Sequence, residues 1–149
     1  MNKFKLKIYD FYLASPFFND NQVSRMKNVL NVLRDEGYEV YAPFEIGIVG
    51  DITDKKVISK IYNSNIEAIE RSKFVIAITD EKDMGTIWEA GYARGKDIPV
   101  VYYCETLGKN PFNIMLSESA IGIFKDIESL KEAAKERKFD KKEKIEKYE

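Results

Sequence analysis

Apolar and polar residues follow two different periods along this chain, and each change of period marks an element. Residues 7–14, KIYDFYLA, are dense in aromatic and β-branched side chains and stop at SPFFND, where proline and Asn/Asp favour a loop; this predicts a first strand. From Asn21 to Gly37, residues Val23, Met26, Val29, Leu30 and Leu33 recur three and four apart, the spacing of an amphipathic helix ended by Gly37. YEVYAP (38–43) predicts a second strand ending at Pro43. FEIGIVGDITD (44–54) carries two glycines and no clear period, which predicts a loop over the strand ends. A second helix is expected over 55–72, where Ile58, Ile61, Tyr62, Asn65, Ile66 and Ile69 trace one face. KFVIAIT (73–79) is a nearly continuous apolar run, as in a strand covered on both sides. After it come a turn, a helix over 85–94 and the strand IPVVYYC (98–104). A loop, ETLGKNPFN, a short apolar segment at 114–116 and a weak strand AIGIF (120–124) follow.

Strand and helix therefore alternate, which predicts an α/β fold: a single doubly wound domain of the Rossmann or flavodoxin type, with a mainly parallel central sheet flanked by helices. The domain is expected over residues 1–130. Lys and Glu at helical spacing in 131–149 suggest a charged C-terminal helix or tail, solvated or frayed. With 149 residues, 44% apolar and 33% charged, the chain has globular composition and is long enough for one sizeable core. Its 24 Lys and Arg against 25 Asp and Glu give no overall pull towards nucleic acid or an anionic membrane. A single cysteine, Cys104, excludes an internal disulfide and fits a reducing cytosol, and the N-terminal stretch does not read as a secretion signal, so the cytoplasm is the expected location. With no histidine and one cysteine, a zinc site and a Ser-His-Asp triad are excluded. Any catalysis falls to carboxylates, tyrosines, hydroxyls or backbone groups.

In open α/β sheets ligands bind beyond the carboxyl ends of the strands. Three loops there have unusual content and are expected to converge on one pocket. SPFFND offers the rings of Phe17 and Phe18, suited to covering a flat ligand. DEKDMGTIWE offers Asp83 and Glu89, and GKNPFNIML offers the amide of Asn113. If a helix begins near Gly85, Glu89 lies in its first turn, where the helix dipole keeps a carboxylate ionised. Spacing alone equally allows an acidic helix residue without function, and Asp83 could be no more than a turn residue.

YLASPFF (12–18), DMGTIWEAGYA (83–93) and NPFNIML (110–116) resemble, in order and interval, three blocks of the nucleoside 2-deoxyribosyltransferase family. The resemblance spans about residues 7–125. It implies a pentosyltransferase that exchanges the base of 2′-deoxyribonucleosides with free nucleobases through a deoxyribosyl ester on a glutamate, in nucleoside salvage. It implies Glu89 as the nucleophile, Asp83 as the aspartate that handles the proton of the base, and Tyr12 as the tyrosine that orients the nucleophile. Phe17, Phe18, Asn65, Gly85, Asn113 and Met115 would contact substrate, Asn113 reaching the sugar bound to a neighbouring subunit. The implied assembly is a homo-oligomer, dimer or hexamer, with shared sites; neither metal nor other cofactor is implied.

Elementary chemistry agrees with those roles. Displacing a base from C1′ passes through an oxocarbenium-like state that an ionised carboxylate stabilises and traps. A departing base needs a proton, and without histidine a second carboxyl must supply it. One position departs from the family: YNSNIEAIERS places Asn65 where an aspartate usually meets the sugar 3′-hydroxyl, and an amide cannot give the charge-assisted bond. Two alternatives follow: an N-glycosidase of 2′-deoxynucleoside 5′-monophosphates, for which Ser15 is the one obvious phosphate-binding hydroxyl, and a nucleotide-binding module with weakened turnover. Tyr148 could match a terminal tyrosine that closes over the site in some members.

Overall fold

The computed structural model describes residues 5–47 and 50–149. In chain order the elements are β1 (Tyr9–Ala14), α1 (Asp20–Asp35), β2 (Val40–Tyr41), α2 (Pro43–Ile46), α3 (Lys55–Glu70), β3 (Ser72–Ile78), α4 (Met84–Gly95), β4 (Val100–Tyr103), β5 (Pro111–Phe112), α5 (Ile114–Ser119), β6 (Gly122–Phe124), α6 (Ile127–Glu136) and β7 (Lys147–Tyr148). A 3₁₀ turn, Asp80–Lys82, joins β3 to α4. Five strands form a parallel sheet in the order β2-β1-β3-β4-β6. This is the doubly wound arrangement that the alternation of elements predicts, with its switch point between β1 and β3.

The period-two geometry of the strands divides the core into two layers. Phe11 and Leu13 of β1 turn to the face covered by α1 and α6, with Met26, Leu33 and Leu130. Tyr12 and Ala14 turn to the opposite face, under α3 and α4, with Ile69, Ala90 and Ala93. The four longest helices begin on short polar side chains that accept from free backbone donors: Asn19 from Gln22 N–H, Asp54 from Lys56 N–H, Asp83 from Thr86 N–H and Asp126 from Ser129 N–H. The loops after β1, β3 and β6 are thereby tied to the helices they lead into.

Several expectations change. The first strand starts at Tyr9 rather than residue 7, and the second keeps only Val40–Tyr41, because Pro43 starts a one-turn helix, α2, inside the segment expected as a loop. Ile48 and Val49 of that loop lie outside the described residues. The short apolar segment at 114–116 is the start of α5, capped by Asn113.

The segment after Lys131 is not a solvated appendage. Helix α6 runs across that position and buries Leu130, Ala133 and Ala134 against α1. Phe139 is 6% exposed and meets Phe11 edge-on with ring centroids 5.0 Å apart. Beyond it, Lys142 bridges to Ile123 of β6, and β7 pairs in parallel with β5. The buried face is made of two alanines and one leucine among lysines and glutamates, so its apolar period is faint in the sequence.

Candidate active site

The loops after β1 and β3 meet at the switch point and enclose a cleft of about 350 Å³. Phe17 and Phe18 form one wall, Asn65 of α3 another, and Asp83, Gly85 and Glu89 enter from the start of α4. The two phenyl rings stack on each other at 5.5 Å. Tyr12 is fully buried beneath the cleft and donates its hydroxyl to Glu89 Oε2. Seven of the nine residues expected at the site are thus brought together.

Asn113 and Met115 are not among them. They line a second cavity of about 540 Å³ on the other side of α4, with Ile87, Leu107 and Phe112. The expectation of three loops converging on one pocket is therefore corrected to two. Helix α4 stands between the cavities, presenting Gly85 and Glu89 to one and Ile87 to the other. The Asn113 side chain caps α5, accepting from Met115 N–H at 2.9 Å and Leu116 N–H at 3.3 Å. Beside it Ile114 is 51% and Met115 75% exposed. Tyr148 lies next to Phe112 through the β5–β7 pairing, away from Glu89.

Glu89 also differs from expectation. The helix starts at Met84 with Asp83 as its cap, so Glu89 is in the second turn, beyond the backbone donors of the first. Burial pushes its carboxyl up to about 7, the Tyr12 hydrogen bond opposes that shift, and the Asp83 charge adds to it. The carboxyl is thus poised near neutrality instead of held ionised. Tyr12 is shifted in the same direction: burial, then the neighbouring Glu89 charge, raise its phenol far above the ordinary range and keep it a donor. Asp83 Oδ2 accepts from both Thr86 N–H and the Thr86 hydroxyl, each at 2.9 Å. The cap engages that one oxygen and fixes the carboxylate on the cleft wall.

Sequence reasoning missed Tyr41, Lys60 and Ser64, which also line the cleft. Tyr41 stacks on Tyr12, with centroids 5.7 Å apart and planes 12° from parallel. A signal existed for the other two: Lys60 and Ser64 sit one residue before Ile61 and Asn65, at the same four-residue spacing, so both pairs share a flank of α3. Ser15 lines the cleft too, its hydroxyl turned to the Pro16 carbonyl at 2.9 Å. Among the described residues no group of three or more His, Cys, Asp or Glu side chains could hold a metal ion, and no helix is long and apolar enough to cross a membrane.

Comparison with known proteins places the family and the fold. A family model described as nucleoside 2-deoxyribosyltransferase matches residues 11–140. A solved 2-deoxyribosyltransferase from the psychrotolerant bacterium Bacillus psychrosaccharolyticus, described as a biocatalyst for nucleoside synthesis, superposes with a TM-score of 0.76 at 27% identity, covering 81% of this chain and 89% of that one. A conserved protein from Enterococcus faecalis V583 shares the fold, with a TM-score of 0.71 at 21% identity, over 89% of this chain and 99% of its own. No curated protein matches the sequence.

Proposed function

The chain belongs to the nucleoside 2-deoxyribosyltransferase family, and from that premise we propose that its cleft exchanges the base of 2′-deoxyribonucleosides by way of an ester on Glu89. Family and structural neighbour both support a deoxyribosyltransferase-type function. The observation that carries the finer reading is the pairing of two carboxyls in one cleft with a buried tyrosine donating to the inner one.

In the first half-reaction a Glu89 carboxylate oxygen attacks C1′ of the bound deoxynucleoside. The C1′–N bond breaks, its electron pair goes to the base nitrogen, and a proton from the Asp83 carboxyl neutralises the departing base. The sugar is left as an ester on Glu89. In the second half-reaction an incoming base attacks C1′, gives its N–H proton to Asp83, and Glu89 leaves as carboxylate. The acid of the first step is the base of the second.

Tyr12 holds one Glu89 oxygen and leaves the other to reach the sugar. Phe17 and Phe18 supply an apolar face for the purine or pyrimidine. Asn65 offers hydrogen bonds from its side-chain amide to the sugar hydroxyls, and Gly85 lets the base approach the helix start. Asn113, outside this cleft within one chain, completes the sugar pocket of a neighbouring subunit. The reaction needs neither a metal nor another cofactor.

The test is incubation with deoxyinosine or thymidine plus free adenine or cytosine, separated by chromatography. New deoxynucleoside supports the proposal. Release of free base without any new nucleoside contradicts it.

A further inference from the structure

Residue Gln22 has no part in the chemistry above and does not line the cleft, yet its amide joins the two loops that do. It occupies the third position of α1, where its own N–H bonds to the Asn19 cap at 2.9 Å. Its side chain is 8% exposed and committed at both ends. Gln22 Oε1 accepts from Phe18 N–H at 2.8 Å, a variant of the capping box, in which a glutamine here reaches back to the chain before the helix. Gln22 Nε2 donates to the carboxylate of Glu81, 59 residues away in sequence.

Glu81 stands in an unusual backbone. It and Lys82 have φ of 67° and 52°, two successive non-glycine residues in the left-handed region. Such residues are strained and persist only where their surroundings hold them. These two turn the chain from the end of β3 into α4, and the next residue is Asp83. The placement of Asp83 and Glu89 relative to Phe17 and Phe18 thus depends on a strained turn, and the bond from Gln22 is the side-chain link from that turn to the aromatic loop.

We propose that Gln22 is a positioning residue for base exchange: its amide clamps the Phe17–Phe18 loop to the Glu81–Lys82 turn and so sets the distance between the base-binding wall and the carboxyls. The proposal rests on the deoxyribosyltransferase reading for its activity arm alone. A buried amide left unmet at either end is costly, so the clamp is specified rather than incidental.

A pair of exchanged residues tests it. Gln22→Glu keeps an acceptor for Phe18 N–H but faces the Glu81 carboxylate with a second one. Adding Glu81→Gln restores a donor and an acceptor in the reverse sense. Gln22→Glu is expected to lower kcat for base exchange about tenfold or more, since small misplacements of reacting groups have effects of this size. Its thermal midpoint should fall by several degrees, so kcat is compared well below it, and the double variant should recover both the midpoint and kcat, the latter to about twofold of parent. Undiminished kcat in Gln22→Glu, or a double variant as slow as the single one, overturns the proposal. Hydrogen exchange reads the clamp without assuming any reaction. In Gln22→Ala the amides of Phe18 and Lys82, the latter bonded to Thr79 O at 3.0 Å, should both exchange about tenfold or more faster. Unchanged protection at Lys82 overturns the proposal. A parent that exchanges no base contradicts the functional reading instead, and hydrogen exchange then decides the clamp.

Discussion

Glu89 carries a carboxyl that burial lifts to about 7, and only its ionised form can attack C1′. The rate of base exchange at low substrate should therefore climb between pH 6 and 8. Tyr12 favours the charged form by donating to it, so Tyr12→Phe should move that climb to higher pH; a profile unchanged in the variant would separate the tyrosine from the nucleophile. The same shift has a stability consequence of opposite sense. The folded state holds a proton on Glu89 that the unfolded chain has lost between about 4.5 and 7, so stability falls as pH rises through this window. Above it, the buried charge costs on the order of 3 kcal/mol. Glu89→Gln keeps an acceptor for Tyr12 and removes the charge. It should abolish exchange, raise the thermal midpoint at pH 8 and change it little at pH 4. Equal midpoint changes at both pH values would contradict the buried-charge account.

Among the elements, β6 and the segment after α6 fit with no room to spare. A Cβ built on Gly122 would lie 1.9 Å from the Phe139 carbonyl oxygen, so glycine is required there for contact, not for backbone freedom. Gly122→Ala should destabilise the fold by about 1–3 kcal/mol or more through forced displacement of that strand. Calorimetry showing an unchanged midpoint would mean that the 139–142 segment is not docked on β6. This contact was illegible in the sequence because it pairs a weak strand with a chain of lysines and glutamates. By contrast β3, α1 and α3 were legible almost to the residue, since β3 is a continuous apolar run at the centre of the sheet and the two helices have strong apolar periods that cover its faces. The cleft was legible where it depends on loops following strands. It was not legible at Tyr41, which reaches the cleft because β2 pairs beside β1 at the sheet edge, whereas Lys60 and Ser64 share the flank of α3 that carries Ile61 and Asn65. Glu89 was misread as a first-turn residue because the helix begins at Met84, behind the Asp83 cap, rather than at Gly85.

For the whole molecule the open matter is what covers Ile114 and Met115 and what Asn113 is for. Within one chain it lies on the far side of α4 from Glu89. The shared-site reading expects a dimer or larger assembly in which Asn113 completes the neighbour's sugar pocket. Glu89→Ala and Asn113→Ala proteins, each poor alone, should regain part of the exchange activity when their subunits are mixed. An active monomer by light scattering, or no recovery despite proven subunit exchange, would contradict it. The second cavity, beside Asn113, gives such an assembly an apolar surface to fill, with Phe112 and Leu116 on its wall.

The central claim is a bond between C1′ and Glu89, and intact-protein mass spectrometry with peptide mapping reads it directly. After incubation with a 2′-deoxynucleoside and no acceptor base, the protein should gain the mass of one deoxyribosyl group, mapped to the α4 peptide at Glu89. The added mass should disappear, with formation of a new nucleoside, when a second base is supplied. Base exchange that proceeds with no adduct on Glu89, and that survives in Glu89→Gln, would contradict the account.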